Sequence, residues 1–199
     1  MVVYSKVTSE PGEEPVTLTE AKTQLNITGT SEDTRITSLI KVARQICERY
    51  AQQSFITQTR RIKLDAFPSC DKPILLPYGP VIAITGDGLG LTYTNDEGGT
   101  TTLTAATHFI LDNHSEIARL VPIDGWPTDV ADFTETPHAV TATYTAGYGA
   151  AAAVPQIIKH AILEEIAFRD RHRGDAADIS VGSMHLLDMV KVYHNAFQD

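Results

Sequence analysis

The 199-residue sequence has only two cysteines, Cys47 and Cys70. They form no CxxC pair and show no metal-ligand spacing, so both read as free thiols of a reducing compartment. Long apolar runs are missing too. No stretch approaches the ~18 consecutive apolar residues of a membrane span. The opening Met1-Val2-Val3-Tyr4-Ser5-Lys6 lacks the basic-then-apolar layout of a signal peptide. Positive charge is scarce: 16 Lys and Arg stand against 25 Asp and Glu, a formal charge of −9. Tight duplex binding needs several cations lying along phosphates. Composition therefore weighs against a DNA-binding domain and favours solubility.

Chemical signatures are equally thin. Gly86-Asp87-Gly88-Leu89-Gly90 has neither the spacing of a dinucleotide fingerprint nor a helix after it, and reads as a bend between strands. Gly147-Tyr148-Gly149 lacks the Lys-Ser/Thr of a phosphate-binding loop and reads as a hinge from sheet to helix. The seven histidines, at positions 108, 114, 138, 160, 172, 185 and 194, make no HExxH or His-x-His pattern. There is no G-x-S-x-G elbow, and the adjacent Glu164 and Glu165 point apart on a helix. No catalytic residue, cofactor or metal is expected.

What is present is an ordinary globular composition, 42% hydrophobic and 21% charged. A chain of this length buries enough apolar surface to fold without a staple. Residues 1–15 read as an extended arm ending in a breaker-rich linker, Ser9 to Pro15. Thr17-Leu18-Thr19-Glu20 is a capping box, with Val16 and Ala21 placed as a hydrophobic staple. A long second helix follows, capped by Thr30 or Ser31. Ile36, Leu39, Ile40, Ala43, Ile46, Cys47, Tyr50 and Ala51 make its apolar face. Arg35, Lys41 and Arg49 lie on the other side.

The period then changes. From Phe55 to Tyr148 short alternating runs are separated by turns, and Asn95 to Gly99 reads as a hairpin loop. This pattern suggests an antiparallel sandwich or small barrel. Helix returns at Pro155 and ends near Gly174, its last turn crowded by Arg169, Arg171, His172 and Arg173. A final amphipathic stretch, 183–197, aligns Leu186, Val190, Tyr193 and Phe197, with Leu187 beside them. So short a helix needs a surface to dock on, and its place beyond a polar linker points to another subunit.

The expected class is α+β. A helical bundle from residues 16–54 and 150–174 carries an inserted β domain, 55–149, and residues 175–199 form a linker and docking helix. Two basic clusters, Arg60-Arg61-Lys63 and Arg169 to Arg173, read first as a solvated edge strand and a dipole-matched helix end.

Taken in order, several segments resemble the head–tail connector (adaptor, or head-completion) proteins of tailed double-stranded DNA phages. They are Glu14-Pro15-Val16-Thr17-Leu18-Thr19-Glu20-Ala21-Lys22; Glu32-Asp33 with Ile36 to Ile40 and Ala43-Arg44; Phe55-Ile56-Thr57-Gln58-Thr59 with Phe67-Pro68; Leu76-Pro77 and Pro80-Val81; Trp126-Pro127; Thr143 to Tyr148; and Val154 to Lys159 with Ala161-Ile162-Leu163. The pattern runs over roughly residues 15–170, and the region beyond Gly174 departs from it.

The resemblance implies a structural virion protein at the head–tail interface, assembled in the host cytoplasm. It implies a ring, typically of twelve identical subunits, seated beneath the portal protein and extending the DNA channel. The ring would offer a platform to a stopper or tail-completion protein and pass genomic DNA without sequence-specific contact or any membrane. On this reading Leu186, Leu187, Val190, Tyr193 and Phe197 dock on the portal. Arg35, Lys41, Arg49, Arg169, Arg171 and Arg173 lie at ring interfaces. A rival β-rich module binding carbohydrate or a decoration protein would need exposed aromatics such as Tyr78, Tyr93, Phe109 or Trp126. A small histidine–carboxylate hydrolase would lose activity on His-to-Ala substitution, and another neck protein such as a stopper or tail terminator fits the helical segments less well.

Overall fold

The computed structural model describes residues 4–84, 86, 88–114, 117–132, 134, 136–173 and 178–191. They divide into two compact units, residues 1–10 with 58–147 and residues 11–57 with 148–199. The architecture is α+β with antiparallel sheets.

In the first unit, β1 (Tyr4–Ser9), β2 (Gln58–Leu64), β5 (Gly90–Thr94), β6 (Thr100–Leu103) and β9 (Val140–Ala146) form one sheet in the order β1-β2-β9-β5-β6. β4 (Val81–Ala83) also pairs with β9. A second sheet joins β3 (Ile74–Leu76), β8 (Ala118–Pro122) and β7 (Phe109–Asp112) in that order. Alternation fixes which face is buried. Ile62 and Leu64 of β2, Leu91 and Tyr93 of β5, and Val140, Ala142 and Tyr144 of β9 enter one core with Ile74, Leu76, Phe109 and Leu120 of the smaller sheet. The loop expected at Asn95 to Gly99 closes the β5–β6 hairpin, and the Asn95 side chain accepts from the Gly99 N–H. Residues 4–9, expected as part of an arm, are instead an edge strand in register with β2, Lys6 opposite Arg61.

The second unit holds α1 (Leu18–Leu25), α2 (Asp33–Ala51), α3 (Gln156–Arg171) and α4 (Val181–Asp188). The capping box is present: Glu20 N–H donates to Thr17 Oγ1 at 3.2 Å and Thr17 N–H to Glu20 Oε2 at 2.7 Å. α2 begins one or two residues later than its predicted cap, with Glu32 at the N-cap and no side-chain bond there. Ile36, Ile40, Ala43, Cys47 and Ala51 of α2 pack with Ile158, Ala161, Ile162 and Ile166 of α3, and with Val16, Ala21 and Phe55. Each large aliphatic side chain so buried contributes ~1.5–3 kcal/mol before ordering costs.

Charged groups inside this unit are paired. Arg44 joins Glu48 and Glu14, and Glu48 Oε1 accepts the Phe55 N–H at 2.8 Å. Arg169 meets the fully buried Glu165 at 2.6 Å, whose other oxygen accepts the Ser180 N–H at 2.8 Å.

Candidate functional site

Of the helix expected over residues 183–197, the described part is α4, which ends at Asp188; Tyr193 and Phe197 lie outside the described residues. Leu187 is fully buried in the core of its own unit, and Leu186 and Val190 pack against that core. Ser180 caps α4 through a bond from the Ser183 N–H, and Ser183 Oγ donates to the Ala161 carbonyl of α3 at 2.8 Å. Leu187 is therefore corrected from docking residue to core residue. The surface this helix needed lies on α2 and α3. Beside the exposed His185 and Asp188, α4 leaves Val181 65% exposed, and next to its end Met189 is 74% exposed. The 3.6-residue period could not separate a stripe facing its own domain from one facing a partner, because both are apolar.

The six residues expected at ring interfaces divide by partner. Arg35 is held by Glu32 and by Asp170, and Arg173 also reaches Asp170, at 3.1 Å. Arg169 is spent on Glu165. Lys41, Arg49 and Arg171 are exposed, and Arg173 is exposed despite its pairing. Burial raises the Asp170 carboxyl, but the bonds from Arg35 and Arg173 outweigh it and leave its pKa below the ordinary value.

The other basic cluster is split by strand alternation. Arg60 turns inward, its guanidinium 3.8 Å from the centre of the Tyr78 ring. Arg61 and Lys63 point to the opposite face. With Lys6, Thr8 and His138 they line a groove of about 390 Å³. Arg61 Nε donates to Thr143 Oγ1 at 3.2 Å, and His138 meets Asp65 at 3.2 Å. On that face every outward position of β9, β5 and β6 except Gly90 is a threonine: Thr141, Thr143, Thr145, Thr92, Thr94, Thr100 and Thr102. The sheet's strands contain no Asp or Glu. Sequence reading found Arg61 and Lys63. It missed Lys6, which reaches them only through long-range pairing.

Reaction chemistry finds no such gathering. Among the described residues no three His, Cys, Asp or Glu side chains are grouped as metal ligands, and no helix is long and apolar enough to cross a membrane. Burial, with Glu165 and Glu48 nearby, pushes the Cys47 thiol well above its usual range, the opposite of an activated nucleophile. Of the four aromatics a carbohydrate face would need, Phe109 is fully buried, Tyr93 nearly so, and Trp126 stacks on Phe67 at 5.0 Å, while Tyr78 is half-buried against the Arg60 guanidinium.

Residues 15–108 match the family described as "Phage gp6-like head-tail connector protein". The segment takes in the pieces noted from Glu14-Pro15 to Pro80-Val81, while those from Trp126 onward lie beyond it. Three similar solved chains come from a gene transfer agent (GTA) particle. One, from "Neck of empty GTA particle computed with C6 symmetry", is 21% identical with a TM-score of 0.78, and 96% of each chain is covered. One from "Virion of native gene transfer agent (GTA) particle" is 20% identical with a TM-score of 0.76, over 95% of each. One from "Neck of native GTA particle computed with C12 symmetry" is 19% identical with a TM-score of 0.73, over 97% of this chain and 96% of the other. At such identities the likeness establishes a shared fold. No curated protein matches the chain.

Proposed function

We propose that the chain is a structural subunit of a virion neck, since residues 15–108 match the phage gp6-like head–tail connector family. It assembles as a closed ring between the portal of the DNA-filled head and the tail, and it performs no catalysis. The family match carries this reading. The shared fold supports it, since it extends over 96% of a chain from a GTA neck, well past the matched segment. The buried, deactivated Cys47 and the buried aromatics are what a scaffold needs and a reaction centre or sugar platform does not.

The finer assignments follow from what the helical unit leaves exposed. Lys41 and Arg49 on α2 and Arg171 and Arg173 at the end of α3 are offered to neighbouring subunits. Arg35 and Arg169 act indirectly, by holding α2 and α3 in place. The portal is met by the edge of α4, through Val181 and Met189 and the chain that follows. Twelve copies match the symmetry of portal rings implied by the phage resemblance. Repetition makes such modest contacts sufficient, because each contact after the first is intramolecular. Genomic DNA passes through the ring without base recognition.

Particles made without this chain test the proposal. Heads should fill with DNA and remain tailless, with free tails in the lysate. Normal tailed particles lacking the polypeptide would overturn it.

A further inference from the structure

The larger sheet is charged unevenly from one edge to the other. At the β1–β2 side stand Lys6, Arg61 and Lys63, outward and flanking one groove. At the β5–β6 side the hairpin tip carries Asp96 and Glu97. Residues 129–132 are laced to it by Asp96 N–H to the Asp129 carbonyl, 2.8 Å, and Ala131 N–H to the Thr94 carbonyl, 3.0 Å. Those residues add the exposed Asp129 and Asp132. Four inter-strand spacings, about 19 Å, separate β1 from β6. Among the described residues no ion pair engages any of these three cations or four carboxylates. Asp65 Oδ1 accepts the His138 backbone N–H at 3.2 Å.

We infer that this basic face receives the acidic β5–β6 edge of the next copy of the same chain, making a head-to-tail contact of the ring. The inference rests on the ring reading above and names one of its interfaces. Two different, complementary patches on opposite sides of one fold are what a heterologous, ring-closing interface requires. The same chain is favoured over another protein because it carries, on the far edge of the same sheet, the acidic groups that complement the three cations. Duplex DNA is disfavoured because three cations per chain are few for phosphate binding, and the acidic edge on the same sheet repels it.

Charge reversal of the full-length chain decides the matter. Reversing the face (Lys6→Glu, Arg61→Glu, Lys63→Glu) or the edge (Asp96→Lys, Glu97→Lys, Asp129→Lys) should each weaken self-association by about tenfold or more at low salt. Sedimentation and native mass spectrometry read this, and circular dichroism checks that each variant folds. Mixing the two variants, or combining all six changes in one chain, should restore assembly, because the reversed patches again match. Three results overturn the contact: no self-association of the native chain at millimolar concentration, unchanged association of both variants, or no rescue on mixing. Loss of binding to a duplex oligonucleotide in the face variant, with association intact, would assign the face to phosphate instead. Variants that still assemble into the neck of particles would remove this interface and leave the neck function standing.

Discussion

Arg44 and Glu48, one turn apart on α2, form an ion pair of 2.8 Å with side chains only 2% and 5% exposed. Arg44 Nε reaches Glu14 as well, at 2.7 Å, tying the segment before α1 to the long helix. A pair this dry is costly to break from one side, because the remaining charge stays buried. Arg44→Met should destabilise the chain by ~3–5 kcal/mol, whereas Arg44→Met with Glu48→Gln, which removes the second charge and keeps an acceptor for the Phe55 N–H, should cost clearly less. Urea unfolding of the two variants reads the difference. Equal losses would mean that the charge left behind is not what matters.

The C-terminal segment gives a second expectation. Its docking on α3 means that removing residues 181–199 uncovers the Leu187 site and strips Ser183 from the Ala161 carbonyl. The truncated chain should melt well below the full one, and Leu187→Ala alone should cost ~2–5 kcal/mol. An unchanged melting temperature would mean that the segment does not hold the helical core together and is free to dock elsewhere.

The two thiols should react very differently. Cys70 is exposed and Cys47 fully buried, its thiol raised first by desolvation and then by Glu165 and Glu48. A maleimide or disulfide reagent should label Cys70 alone in native protein and both residues in denaturant. Rapid labelling of Cys47 under native conditions would show that the α2–α3 core opens readily.

Acid should weaken α1 through its cap. Bonds from the Thr17 backbone and hydroxyl hold the Glu20 carboxyl below its ordinary value. The stabilisation it supplies is therefore complete above the unfolded value, ~4.3, and is lost as pH falls through the lower folded one. Glu20→Gln should flatten that part of the stability–pH curve. Thr17→Ala should cost ~1 kcal/mol at neutral pH. A curve identical to the native one would mean that the box does not form in solution.

Much of this was legible because the signals are local. Thr17 and Glu20 sit three residues apart, and the β5–β6 loop spans five. The apolar face of α2 repeats within one helix. What escaped is long-range. β9 comes last of the strands in sequence yet occupies the middle of the sheet, and Lys6 meets Arg61 across more than fifty residues. Alternation on β2 sends Arg60 inward and Arg61 outward, although they are neighbours in one basic run. The destination of Leu187 depended on which apolar stripe accepted it, and α3 offered one.

The central claim is that copies of this chain close a ring at the neck. Electron-microscope reconstruction of the protein bound to its portal tests it most directly. The account predicts a closed ring of this fold coaxial with the portal, with α4 towards the portal side. Single copies scattered on the portal, or no density for the chain at all, would contradict it.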